Sequence, residues 1–319
     1  QGLSNTTHRV KIAVHPDQPD KAGILARRNE TIDNPARFDG RAWYAGAILL
    51  VGESNVGKTH YGAQFLKRLM VKACSLKMSG APTNLEAFST ALSCLTEGKA
   101  TDHTPASTYV ESVWPIADDL GRVAELVWPD YGGEQVRNLV TQRRIPAAWR
   151  ERVLVATDWV LLIRLHSLRS EDDLFSRPLE SFAGAEGVEE SAVYEPSDQA
   201  RTIELLQMLL YLAQFHLDRP LNKPRLTILL SCWDELGTTD LPANLLASRL
   251  PMLWSFVRTN WMAPTVMGLS ALERALSKTD TDQDYAIRGP EEFGYVVLPD
   301  GTQSPDITLP VQRLMASEL

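Results

Sequence analysis

No apolar run in the 319-residue chain approaches the ~18–20 residues that a membrane-spanning helix needs. A soluble, cytoplasmic protein is therefore expected. Cysteine is scarce: Cys74, Cys94 and Cys232 lie far apart, without a C-x-x-C pair. That excludes a disulfide framework and a cysteine-based zinc site, and fits a reducing compartment. The six histidines show no metal-ligand spacing. Positive charge is in deficit, with 32 Lys and Arg against 40 Asp and Glu and a net charge of −8. Nucleic acid is thus not expected as the main partner. Repeats and low-complexity tracts are lacking, and residues 1–9 have no apolar signal-peptide core. The chain starts at Gln1 rather than Met, so a fragment or a processed product is expected.

With 44% hydrophobic and 23% charged residues, the chain can bury a full core, as one large domain with insertions or two smaller ones. One stretch organises the rest. Residues 45–61 read AGAILLVGESNVGKTHY: the strand-like Ile48-Leu49-Leu50-Val51, a small-residue loop, then a helix start. Gly52, Gly57, Lys58 and Thr59 complete the phosphate-loop pattern Gly-x-x-x-x-Gly-Lys-Ser/Thr. Glycines let successive N–H groups of the loop, through Glu53, Ser54, Asn55 and Val56, turn inward on phosphate oxygens. The helix beginning near Thr59 and His60 adds the positive end of its dipole. Lys58 can reach the outer phosphates, and the Thr59 hydroxyl suits Mg²⁺. A chain of this length matches the pattern by chance roughly 1% of the time, so nucleotide binding becomes the working premise.

Along the chain, residues 1–40 read as an arm with one strand candidate, Arg9 to Val14. A main unit is expected over 41–276. Apolar spacing predicts helices from His60 to about Lys77 and from Asn84 to Thr96. Thr104 to Pro115 and Arg122 to Trp128 read as an antiparallel hairpin around an Asp118-Asp119-Leu120-Gly121 turn. Residues 146–157 are helical in character, and Trp159 to Ile163 is a buried strand. The acidic, patternless stretch 167–197 reads as an insertion. A helix capped by Ser197 or Asp198, a strand over Leu226 to Leu230, a helix over 242–259 and a strand over Thr265 to Leu269 follow. Residues 277–319 look like a hairpin tail, with strands at Phe293 to Leu298 and Ile307 to Leu309. The expected fold is α/β of the P-loop NTPase kind: a mainly parallel central sheet, one antiparallel edge strand and helices on both faces.

The later motifs select among phosphate-loop proteins. GESNVGKT at 52–59, DYGG at 130–133, SCWD at 231–234 and SAL at 270–272 each follow an expected strand, in order. Over about Ala47 to Leu272 the chain resembles P-loop GTPases of the translation-factor and Ras-like class. The phrases PDYGGE and SCWDEL and the long insertion resemble, more narrowly, the bacterial double-GTPase domains of conflict and defence gene clusters.

The resemblance implies a GTP/GDP site, Mg²⁺, slow GTP hydrolysis and a protein effector. Asp130 would hold Mg²⁺ through water, and the Gly133 N–H would meet the γ-phosphate. Thr108, or Thr104 in its place, would be the second metal-ligating threonine. Asp234 would accept the N–H groups of guanine's Watson–Crick edge, and the Ser270, Ala271 and Leu272 segment would bond its oxygen. Ser231 and Cys232 depart from the family, which has Asn or Thr and a lysine there. Glu134 stands where the family orients water with glutamine or histidine; its carboxylate repels a γ-phosphate, so turnover is expected to be slow. Asn55 matches the residue that helps cation-dependent members bind K⁺, although a small polar loop residue is the plainer account. Arg143 and Arg144 are candidates for a charge-stabilising arginine, against a solvated helix end. An ATP-using enzyme and a nucleotide-binding scaffold without turnover stay open.

Overall fold

Alternate residues of the strand before the phosphate loop enter two different cores. In β1 (Trp43–Val51), Leu49 and Val51 belong to one cluster, Ile48 and Leu50 to another. Side chains of a strand alternate between faces, so both faces of the sheet are dry here. The computed structural model describes residues 43–71, 74–101, 109–131, 133–168, 197–213 and 219–316. The strand candidate at Arg9 to Val14, the 1–40 arm, Thr104, Thr108 and most of the 167–197 insertion lie outside them.

After β1 come α1 (Lys58–Val71), β2 (Leu76–Met78), α2 (Glu86–Thr96), β3 (Tyr109–Asp118) and β4 (Val123–Tyr131). Next are α3 (Glu134–Gln142), α4 (Ala147–Val155), β5 (Ala156–Ile163), α5 (Asp198–Leu212) and β6 (Arg225–Ser231). The chain continues through α6 (Pro242–Arg249), α7 (Pro251–Asn260), β7 (Thr265–Ser270), α8 (Gln283–Arg288), β8 (Tyr295–Val297), β9 (Gln303–Ser304) and α9 (Leu309–Ala316). The sheet has the order β2-β3-β4-β1-β5-β6-β7-β8-β9. Its middle is parallel, from β4 through β1, β5 and β6 to β7. Antiparallel pairings close both margins, where one such edge strand is expected from sequence.

One face is covered by α3 to α7, with Trp149, Leu209, Leu246 and Val257 among the buried contacts. The other is covered by α1, α2 and α9. Tyr61, Phe65, Leu66 and Leu69 of α1 are all at most 2% exposed, each contributing on the order of 1.5–3 kcal/mol of burial as an upper estimate. They meet an aromatic wall in which Trp114 of β3 stacks on Trp128 of β4 at 5.2 Å. Gly62 lets α1 lie against that wall, since a Cβ there would come within 2.4 Å of Phe88 and 2.8 Å of Trp128.

Several boundaries differ from expectation for local reasons. The first helix ends at Val71, and Leu76–Met78 pairs with Ile116 to Asp118 as an edge strand. The helix expected over 242–259 breaks at Leu250, because Pro251 lacks an N–H and restricts its predecessor. Of the tail strands, Tyr295–Val297 and Gln303–Ser304 form a hairpin. Ile307 and Thr308 instead lead into α9, where Thr308 accepts the Gln312 N–H. Ser197 caps α5 as expected, accepting from the Ala200 N–H at 3.2 Å.

Candidate functional site

The parallel strands deliver their carboxyl ends to one edge, the usual ligand crevice of such a sheet. The loop leaving β1 bends through left-handed backbone at Asn55 (φ 63) and Gly57 (φ 79), conformations that asparagine tolerates and glycine adopts freely. Lys58 opens α1 and folds back over the loop: its Nζ donates to the Gly52 and Glu53 carbonyls, both at 2.8 Å. The residue is 8% exposed, so the cation is held at the floor of the curl instead of ranging in solvent. Thr59 and His60 follow along the cleft wall; the His60 Nε2 accepts from the Thr101 N–H at 3.3 Å.

Gly133 brings the second motif onto the first. An ideal Cβ there would lie 2.1 Å from the Ser54 nitrogen and 2.4 Å from the Glu53 carbonyl carbon. Both are backbone atoms, so only glycine permits this approach. Glu134 begins α3 at the same rim. Asp130 lies in β4 opposite Val110; its side chain and Thr108 fall outside what the structure describes.

On the far side, β6 ends at Ser231, and Cys232 adopts a left-handed conformation (φ 52) before a 3-10 turn over Trp233–Leu236. Trp233 is buried over Gly268 of β7, where a Cβ would come 2.5 Å from the indole. That anchor sets the direction of its neighbour. The Asp234 carboxylate accepts from the Ser270 Oγ at 2.5 Å, and the same oxygen accepts the Glu273 N–H at 2.9 Å. SCWD and SAL, 36 residues apart, thus form one hydrogen-bonded unit. Ser270 is fully buried beneath it, while Ala271 and Leu272 line the cleft.

The cleft encloses about 280 Å³ between these loops, near the lower end for small-molecule sites. A second chamber of about 370 Å³ adjoins it behind the phosphate loop and includes Gly52 and Glu53. The Glu53 carboxylate is paired there with Arg201 of α5 at 3.0 Å, and Asp198 pairs with the same guanidinium. Among the described residues, no group of three or more His, Cys, Asp or Glu is placed to hold a metal. No described helix is long and apolar enough to cross a membrane.

A family model described as Double-GTPase 1 matches residues 49–314. The chain belongs to the Double-GTPase 1 family. The match takes in all four motifs and every described element from β5 through β9. No curated protein matches the chain. Membership implies a guanine-nucleotide site, and the residues present fit one: a loop bent at Asn55 and Gly57 with Gly133 packed against it, a lysine at its floor, and a carboxylate lining the same cleft.

Not every candidate is gathered in. Arg143 closes α3 away from the cleft and pairs with Glu204 at 3.0 Å. The arginine that lines the cleft between its two loops is Arg164, and Arg137 and Arg201 line the second chamber. Arg274 and Lys278 line the opposite end. Sequence reasoning passes over Arg164, although it stands one residue beyond a buried strand, at the edge where such sheets bind ligands.

In the loop that follows β6, Cys232 carries no charge at neutral pH. Burial pushes its thiol up to about 11, aided by Glu235 and Asp234 and opposed by Arg164. At pH 9.0, where an unperturbed thiol is half ionised, Cys232 is ionised on the order of 1%. Peptide-resolved iodoacetamide labelling is expected to leave Cys232 slow through pH 9 and to rise toward pH 11. Half-maximal labelling near pH 8–9 would contradict this burial.

Proposed function

We propose that this protein binds GTP and GDP and hydrolyses GTP slowly, with Mg²⁺, as a switch read by a protein effector. The observation that carries the reading is the Asp234–Ser270 unit facing the same cleft as the Lys58-bearing loop. A carboxylate accepts two N–H groups from guanine's edge, whereas adenine presents an acceptor there and leaves the carboxylate unmatched. Lys58 and the amides of residues 53 to 58 would bind the phosphates. Thr59, with Asp130 and Thr108, would hold Mg²⁺, an oxygen-preferring ion that would neutralise phosphate charge when bound. Asn55 would be the residue that helps bind K⁺ beside the phosphates, against the plainer account of a small polar loop residue. Equal hydrolysis in K⁺ and Na⁺ would remove that ion.

Glu134 lines the phosphate end of the cleft at the start of α3. A carboxylate there can orient water, yet it repels the γ-phosphate. Intrinsic turnover in Mg²⁺ is expected on the order of 10⁻³ s⁻¹, lost on chelation. Glu134→Gln is expected to tighten GTP relative to GDP by roughly 3–10-fold, since a like-charge contact is removed. Turnover of about 5 s⁻¹ or more without any partner would contradict the role given to Glu134. Glu134 also favours a second reading, a nucleotide-binding module without turnover; GTP binding beside absent hydrolysis would select it. An ATP-using enzyme would instead show itself by tighter ATP than GTP binding.

A further inference from the structure

Two loops must keep their spacing if one ligand is to touch both. The phosphate loop leaves β1 and the base loop leaves β6, and β5 runs between those strands, paired with each. The first residue beyond the carboxyl end of β5 therefore stands between the loops. That residue is Arg164. Its Nη1 donates to the Asn55 carbonyl in the phosphate loop at 3.1 Å. Its Nε donates to Glu235 at 2.9 Å, and Nη2 bonds the other carboxylate oxygen of the same residue. Glu235 follows Asp234 directly, so the guanidinium grips the base loop one residue from its reading carboxylate. The pair is largely sheltered, with side chains 28% and 20% exposed.

The geometry fits arginine and no other side chain. A planar guanidinium presents five donors in a rigid fork, enough for a bidentate carboxylate on one side and a carbonyl on the other. The neighbouring approach between the two loops is Cys232 beside Gly57, where the sulfur would lie 3.9 Å from a Cβ. That contact is van der Waals only and carries no direction.

We propose that Arg164 is a positioning residue that couples base recognition to the phosphate loop, so that the two halves of a nucleotide bind better joined than apart. The inference rests on the guanine-nucleotide reading of the cleft. When Asp234 engages a base, Glu235 is fixed with it, and the guanidinium carries that constraint to the Asn55 carbonyl. The phosphate loop is then held in the shape it needs. Without the bridge, each loop still binds its own part of the ligand, but the gain from joining them is lost.

The test uses the full chain and its Arg164→Gln, Glu235→Gln and doubly substituted variants, with GDP, ADP and inorganic pyrophosphate as probes. Arg164→Gln is expected to weaken GDP about tenfold or more and to lower the GDP-to-ADP preference, while pyrophosphate stays within about threefold. Glu235→Gln is expected to show the same pattern, and it leaves Arg164 in place should the first variant fold poorly. Because both break the same bidentate ion pair, the double variant is expected to be no weaker than Arg164→Gln alone. GDP binding within about twofold of the unaltered chain would overturn the inference. Equal weakening of GDP and pyrophosphate would do so too, since that marks a merely structural role, as would strictly additive effects. An unaltered chain that binds pyrophosphate but not GDP would overturn the guanine reading instead, and one that binds neither overturns both.

Discussion

Replacing Lys58 with methionine is expected to weaken GDP and GTP by on the order of a hundredfold or more while the fold persists. The ammonium is the one cation that the phosphate loop itself supplies, and it is already positioned: two carbonyl bonds at 2.8 Å hold it against Gly52 and Glu53. A phosphate entering the curl meets an oriented donor, so little is lost in ordering the side chain on binding. Methionine keeps the apolar stem and removes the charge. Two charge-assisted bonds are worth roughly 1.5–3 kcal/mol each, which sets the size of the expected loss. In the free protein the ammonium's bonds to the Gly52 and Glu53 carbonyls are lost while the apolar stem stays in place, so the thermal midpoint is expected to fall by a few degrees at most. Calorimetric titration beside thermal unfolding separates the two effects. Affinity within about threefold of the unaltered chain would contradict the placement of Lys58.

The second large effect concerns the far end of the same helix. Arg68 is 3% exposed and donates to the Pro305 carbonyl at 2.7 Å and the Phe293 carbonyl at 2.8 Å. Burial lowers the pKa of its guanidinium against the opposing pull of Asp306. Tyr61 donates to the Ile307 carbonyl at 3.0 Å and Gln64 to the Tyr285 hydroxyl at 2.5 Å, so one face of α1 is stapled to the last quarter of the chain. These bonds fix how α1 lies on the sheet, and α1 begins with Lys58 and Thr59. Arg68→Ala removes the donors and leaves dry carbonyls and a void. A loss of about 3–5 kcal/mol follows from those two costs together, or roughly 4–8 °C in the unfolding midpoint for a chain of this size. A midpoint within about 2 °C of the original would mean that water reaches these carbonyls and the staple contributes little.

Much of this was legible before any coordinates. The strands at 48–51, 159–163 and 226–230 read as unbroken apolar runs and Arg122 to Trp128 as one arm of a hairpin, and each motif stands just past an expected strand. A parallel sheet therefore had to bring 52–59, 130–133, 231–234 and 270–272 to a common edge. What escaped the sequence was set by partners distant in the chain. Leu76–Met78 is a strand only because Ile116 to Asp118 offers an edge to pair with, and three residues carry no period to read. Gln283–Arg288 is short, capped by Asp282, and takes its place through Tyr285 stacked on Phe293 at 4.1 Å. Arg164, Glu235 and Arg201 carry no local pattern in the sequence that marks them out. Nothing local distinguishes an arginine that bridges two loops from one that faces water, because the distinction lies in which strands flank β5.

The central proposal is that the cleft lined by both the Lys58-bearing loop and Asp234 takes one guanine nucleotide. Titration of the full chain with GDP and with ADP under identical Mg²⁺ tests it most directly. The account predicts saturable GDP binding at one site, with ADP weaker by about a hundredfold or more. Equal affinity for the two, or ADP the tighter, would contradict it.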